Sequence, residues 1–197
     1  MGEMIKMVVV LTVLSIVSGG GLSWLKDFTE PKIENQVMNL VKGPAIRAML
    51  SEAENDPVAD RFKIMDGEVE RNVFVGVFEG TADTVVMEAS ASGYGDKVGM
   101  VVAINMPEQT LRGVAVTTHK ETPGLGAQAK DDPKFAAQFA GQSITSPIAV
   151  TKDGGMINAL SGATITSRAV CTGVNNAIES FNNLKPQLEE KIKAMGK

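Results

Sequence analysis

Ser161-Gly162-Ala163-Thr164-Ile165-Thr166-Ser167 stands just before an amphipathic, helix-patterned run near the C-terminus, and its small residues bare a threonine hydroxyl at a helix start. A helix N-terminus offers free N–H groups and a partial positive charge, so this position suits a phosphate. A hydroxyl there can displace a leaving group from phosphorus and form a stable phosphoester, and Gly162 and Ala163 leave room for a modifying enzyme to reach Thr164. The bland alternative is that Thr164, Thr166 or Ser167 caps the helix, a common use of these residue types. A second segment, His119-Lys120-Glu121-Thr122-Pro123-Gly124-Leu125-Gly126, joins a β-like run to a turn. Gly124 and Gly126 let backbone approach a planar ligand closely, and Glu121 and Thr122 are placed to hydrogen-bond its edge. Read alone, the same residues are a tight turn with a solvated glutamate. Tyr94, between Gly93 and Gly95, is a less specific third candidate, because a turn tyrosine often packs at an edge.

Other chemistries lack their residues. Gly124-Leu125-Gly126-Ala127-Gln128-Ala129 fits G-x-G-x-x-A formally, but a proline precedes it and no β-α-β unit with a spaced acid follows. One His and one Cys are too few soft ligands for zinc or an iron–sulfur cluster, so no metal site is expected. Ser161 lies in no G-x-S-x-G elbow. Cys171 has no partner for an internal disulfide and reads as a buried thiol.

The elements that must position these segments are α+β in pattern. Thr29-Glu30-Pro31 reads as a helix start, with Ile33, Val37, Leu40 and Val41 on one face. Gly43-Pro44 interrupts that face, Ile46, Met49 and Leu50 resume it, and Asn55-Asp56-Pro57 ends it. Strand-like runs follow at Val73–Phe78, Thr84–Ala89, Val98–Met106 and Leu111–Thr118, and their short connections favour antiparallel pairing. A short helix is expected over Lys134–Ala140 and a further strand over Ile144–Thr151. In the last helix Val170, Val174, Ala177, Ile178, Phe181 and Leu184 recur at helical spacing, a face able to cover a sheet. The expected division is an apolar anchor over 1–27, a linker helix over 28–56 and a compact domain with a mainly antiparallel sheet over 57–197.

With 44% hydrophobic and 21% charged residues the chain can bury a real core. Its net charge is −4, and residues 27–197 carry 17 basic against 22 acidic residues, a balance that excludes a nucleic-acid surface. Met7–Leu25 is 19 residues without a charge, close to the roughly 20 that span a bilayer, with Trp24 and Lys26 at one end. A single transmembrane anchor is the expectation; the alternative is a signal peptide cleaved near Ser18-Gly19-Gly20-Gly21. Lys6 against Lys26 and Lys32 leaves the orientation undecided by charge.

The heptad around Thr164 resembles the flavinylation motif of the FMN-binding domain family, which carries FMN through a phosphoester on the threonine closing S-G-A-T. The 119–126 segment narrows the resemblance to the G subunits of Rnf complexes and their relatives, the C subunits of Na+-pumping NADH:quinone reductases. It implies covalent FMN on Thr164, a ring contacted by 119–126, and an electron-carrying subunit of an ion-translocating ferredoxin:NAD+ oxidoreductase or of its quinone-reductase counterpart. It also implies other membrane and peripheral subunits as partners, a flavin transferase for maturation, and an inner-membrane location. The N-terminus would then be cytoplasmic and the domain periplasmic. In one departure, Asn158 occupies a position where the family often has an acid, six residues before the threonine; Asp153 would need a different loop path to stand in. Rivals from other classes are an unflavinylated, membrane-anchored assembly module and a secreted small-ligand-binding protein.

Overall fold

A computed structural model of the chain describes residues 2–67 and 69–194. The chain divides into two compact units, Met1–Leu40 and Val41–Lys197. In the first, helix α1 runs unbroken over Gly2–Val37. The helix start expected at Thr29-Glu30-Pro31 is therefore interior, and the apolar run of Met7–Leu25 lies in one element with it. That helix is long and apolar enough to cross a membrane. A π-helical turn over Met38–Lys42 follows, just before Gly43-Pro44, and the proline has no N–H to donate to the ordinary helical bond.

The second unit opens with α2 (Gly43–Met49). It continues into five strands: β1 (Phe62–Asp66), β2 (Val69–Phe78), β3 (Thr81–Ser92), β4 (Lys97–Asn105) and β5 (Thr110–Thr118). They form one antiparallel meander in the order β1-β2-β3-β4-β5. The α+β class and antiparallel sheet read from the sequence are what the structure has. β1 was not expected, because Phe62-Lys63-Ile64-Met65-Asp66 is too short and too charged to stand out as a strand.

Both faces of the sheet are covered, which is why its strands read as near-continuous Val-rich runs. On one face Val75, Val85, Met87, Met100 and Val102 join Val174, Ala177, Phe181 and Leu184 of α5 (Thr164–Ala194) in the main core. Each of the Val, Met, Leu and Phe side chains, fully buried, contributes about 1.5–3 kcal/mol. On the other face α2 approaches so closely that a Cβ at Gly113 would lie 2.8 Å from Met49 Cγ, and one at Gly76 would lie 3.0 Å from Leu50 Cδ1.

Two short helices, α3 (Gln128–Asp131) and α4 (Pro133–Ala137), follow β5. The strand expected over Ile144–Thr151 does not form; this stretch holds one isolated bridge, Val150 to Ile157, and a 3-10 turn occupies Thr151–Asp153. Pro147 lacks the ladder donor. The Asn175 side chain satisfies both backbone groups of Ile148, accepting from its N–H at 2.9 Å and donating to its carbonyl at 2.8 Å, so no neighbouring strand is needed there.

Candidate functional site

The N-terminus of α5 is built by the heptad. Gly162 takes φ +74°, the left-handed turn that lets the Ala163 N–H reach the Leu160 carbonyl at 3.1 Å. The Ser167 N–H then closes the first helical bond onto the Ala163 carbonyl at 3.0 Å. Ser167 Oγ donates to that same carbonyl at 3.0 Å and accepts from the Leu160 N–H at 2.9 Å, so this buried hydroxyl is a clasp holding the turn to the helix. Thr166, also buried, donates its hydroxyl to Glu121 Oε2. Thr164, the first helical residue, is half-buried, and its hydroxyl has no hydrogen-bond partner among the described residues. Of the three hydroxyls at this helix start, one is left free.

Glu121 is the hub that joins the other two segments. Its Oε1 accepts from the N–H groups of Tyr94 and Gly95, each at 3.0 Å, drawing the β3–β4 turn onto the 119–127 loop. The ring of His119 accepts the Glu121 N–H at Nδ1, 3.2 Å away, and so shapes the loop. Glu121 is only 6% exposed. Burial by itself pushes its pKa up, but the Thr166 hydroxyl and the amides of Gly95, Tyr94 and Asp96 outweigh it and hold the carboxyl below its ordinary value. Glu121 is therefore an ionised structural anion, not a solvated side chain.

The glycines have separate reasons. Gly124 has φ +74° with open space around its Cβ position, whereas a Cβ on Gly126 would lie 2.7 Å from both Glu121 Oε2 and Thr166 Oγ1. Gly124→Ala is expected to cost about 1–2 kcal/mol through its left-handed backbone alone. Gly126→Leu is expected to cost more, because it pries Glu121 from Thr166. Thermal melting of the two variants ranks them; equal losses would mean that the contact at Gly126 relaxes freely.

These elements enclose a cavity of about 640 Å³, lined by Tyr94, Glu121, Thr122, Leu125, Gly126, Gly162, Ala163, Thr164 and Thr166. That size is usual for small-ligand and cofactor pockets, about 300–1,000 Å³. His119, Gly124, Ser161 and Ser167 do not line it: His119 and Ser167 brace the walls, Gly124 makes the turn, and Ser161 is exposed. Two lining residues went unread in the sequence, Lys152 and Ile165. Lys152-Asp153-Gly154-Gly155 carries no signal beyond a charged turn, and only the tertiary path brings it here. Asp153 takes a bidentate bridge from Arg168, at 2.7 and 2.8 Å, which ties the 151–153 turn to the start of α5. Asn158 lies outside the lining, with its side chain on Gln138.

The walls divide into two kinds. Tyr94, Leu125 and Ile165 are 72%, 46% and 52% exposed, apolar surface left open around the cavity. The polar part of the lining includes the free Thr164 hydroxyl at the first turn of α5 and Lys152. Such a cavity fits a planar aromatic group with an anionic tail. Cys171 plays no part: burial pushes its thiol up to about 11, so it is not a nucleophile.

Residues 93–179 match the model of the FMN-binding domain family, a stretch that contains Tyr94, the 119–126 segment and the heptad. The resemblance read from the two motifs is thus shown. Over 98% of this chain and 96% of the relative, the sequence is 29% identical to the G subunit of the ion-translocating oxidoreductase complex of Pseudomonas aeruginosa. It is 29% identical to the G subunit of the proton-translocating ferredoxin:NAD(+) oxidoreductase complex of Clostridium ljungdahlii, over 86% of each chain. The crystal structure of NqrC from Shewanella oneidensis has the same fold, with a TM-score of 0.53 at 23% identity over 71% of this chain and 73% of that one.

Proposed function

We propose that this chain is the FMN-carrying, electron-transferring subunit of an ion-translocating oxidoreductase complex of the Rnf kind, with FMN joined through its phosphate to Thr164. The observation that carries the reading is the free hydroxyl at the first position of α5, opening into a cavity that the 119–126 loop also lines. When bound, the flavin supplies one- and two-electron redox chemistry. The chain's own residues hold and orient it. Tyr94, Leu125 and Ile165 give apolar surface for the ring; Thr122 offers a polar edge contact; the α5 N-terminus favours the phosphate charge. In the attachment, the Thr164 oxygen bonds to phosphorus of a flavin nucleotide carrying a phosphoanhydride. The anhydride P–O bond breaks, the nucleotide leaving group departs, and the hydroxyl proton passes to a base of the transferase.

Ultraviolet fluorescence of the denatured gel band tests the covalent flavin, since only an attached flavin survives denaturation. A dark band from cells that make a flavin transferase would favour the unflavinylated assembly module. The subunits that co-purify separate an Rnf-type complex from a quinone reductase.

The same reading makes α1 a membrane anchor with the flavin domain on the extracytoplasmic side. The full-length protein is expected to stay in membranes through a high-salt wash, because apolar burial of a spanning helix is not screened by ions. Deleting residues 1–26 is expected to release a soluble domain. Full release by salt alone would remove the anchor from the proposal.

A further inference from the structure

Two charged side chains line the cavity, Glu121 and Lys152. Glu121 is spent: one oxygen takes the amides of Tyr94 and Gly95, and the other takes the Thr166 hydroxyl. Lys152 is exposed, and among the described residues it forms no ion pair; its neighbour Asp153 is engaged by Nε and Nη2 of Arg168. That bridge has a second consequence. Arg168 sits one turn into α5 and Asp153 ends the 3-10 turn, so the turn that carries Lys152 is tied to the start of α5, and Lys152 lines the same cavity as Thr164. The positive charge of Lys152, which also acts on the adjacent Asp153, and the positive end of the helix dipole are thus both presented to this cavity.

We infer that Lys152 pairs with the phosphate of the flavin nucleotide, so that the site reads the anionic tail through a side chain as well as through the α5 amides. The inference rests on the flavin reading of the cavity given above. Lys152 is a positioning residue: it fixes the tail near the Thr164 oxygen and takes no part in electron transfer. An ammonium is suited to this because its point charge tolerates the change from free monoester to attached diester.

The test uses the full chain in detergent, produced without a flavin transferase and titrated with FMN and with riboflavin, which lacks the phosphate. Quenching of flavin fluorescence gives both affinities. The wild type is expected to prefer FMN, with the preference shrinking as salt rises. Lys152→Met is expected to lose about three- to tenfold of that preference while binding riboflavin as before, and Lys152→Arg to keep most of it. If Lys152→Met keeps the whole preference, the helix amides alone read the phosphate and the inference is overturned. Where free FMN binds too weakly to titrate, the flavinylated protein gives the answer through its 31P resonance. That resonance moves in Lys152→Met if the ammonium faces the phosphate and stays in place if it does not. A chain that neither binds FMN nor accepts it covalently overturns the flavin reading itself, a result distinct from an unmoved preference.

Discussion

Thr164→Val is expected to give a folded protein whose denatured mass carries no flavin at all, while Thr164→Ser remains loaded. Valine keeps the β-branched shape and nearly the same helix propensity, and removes only the oxygen. Thr164 is half-buried and its hydroxyl bonds to no described residue, so the loss of stability should stay within about 0.5 kcal/mol. The other hydroxyls of the heptad offer no fallback. Thr166 is buried and committed to Glu121, and Ser167 is buried and clasped between Leu160 and Ala163. A transferase reaching either would have to break those bonds. Ser161 is exposed but lies before the left-handed turn at Gly162 and outside the cavity lining. Intact-mass analysis of denatured wild type, valine and serine variants decides the matter, and a valine variant that still carries flavin would remove Thr164 from the proposal.

How much of this was legible before folding depended on whether the signal was local. The Val-rich strands, the face of α5 and the apolar run of α1 were readable because periodicity and apolar content are written along the chain. The heptad and the 119–126 loop were readable as segments because their residue types are unusual together. The division of labour within them was not. Ser167 as clasp, Thr166 as partner of Glu121 and His119 as brace are long-range or side-chain hydrogen bonds with no periodic signature. Ile144–Thr151 read as a strand because it is rich in β-branched residues, and Asn175 on α5 overrode that pattern by supplying the hydrogen bonds a neighbouring strand would have given. Lys152 stayed invisible for a related reason: its place depends on an ion pair made by the next residue with a side chain far along the chain.

Glu121 is where the second large effect is expected. Glu121→Gln keeps the size and one acceptor oxygen, but it replaces the charged acceptor of the Tyr94 and Gly95 amides and presents an NH2 group near the Thr166 hydroxyl or to those amides. Hydrogen bonds to a charged group contribute about 1.5–3 kcal/mol, so a comparable loss is expected, lowering the melting temperature by about 4–10 °C. Because the loop, the β3–β4 turn and the start of α5 all meet on this carboxylate, the flavin environment should loosen with it, read as a shift in the visible spectrum of the attached flavin. The pH dependence carries the sign of the depressed pKa. The folded chain holds Glu121 ionised below the range in which an unfolded glutamate, near 4.3, takes up a proton. Its contribution is therefore fully present above that unfolded value and is lost as pH falls towards and through the folded one. The gap in stability between wild type and Glu121→Gln should be constant from pH 6 to 8, about the neutral range, and narrow under acid. Melting both proteins across that range tests this directly; a gap that widens on acidification would mean that Glu121 is protonated in the folded chain, and that the three-way junction is held by something other than its charge.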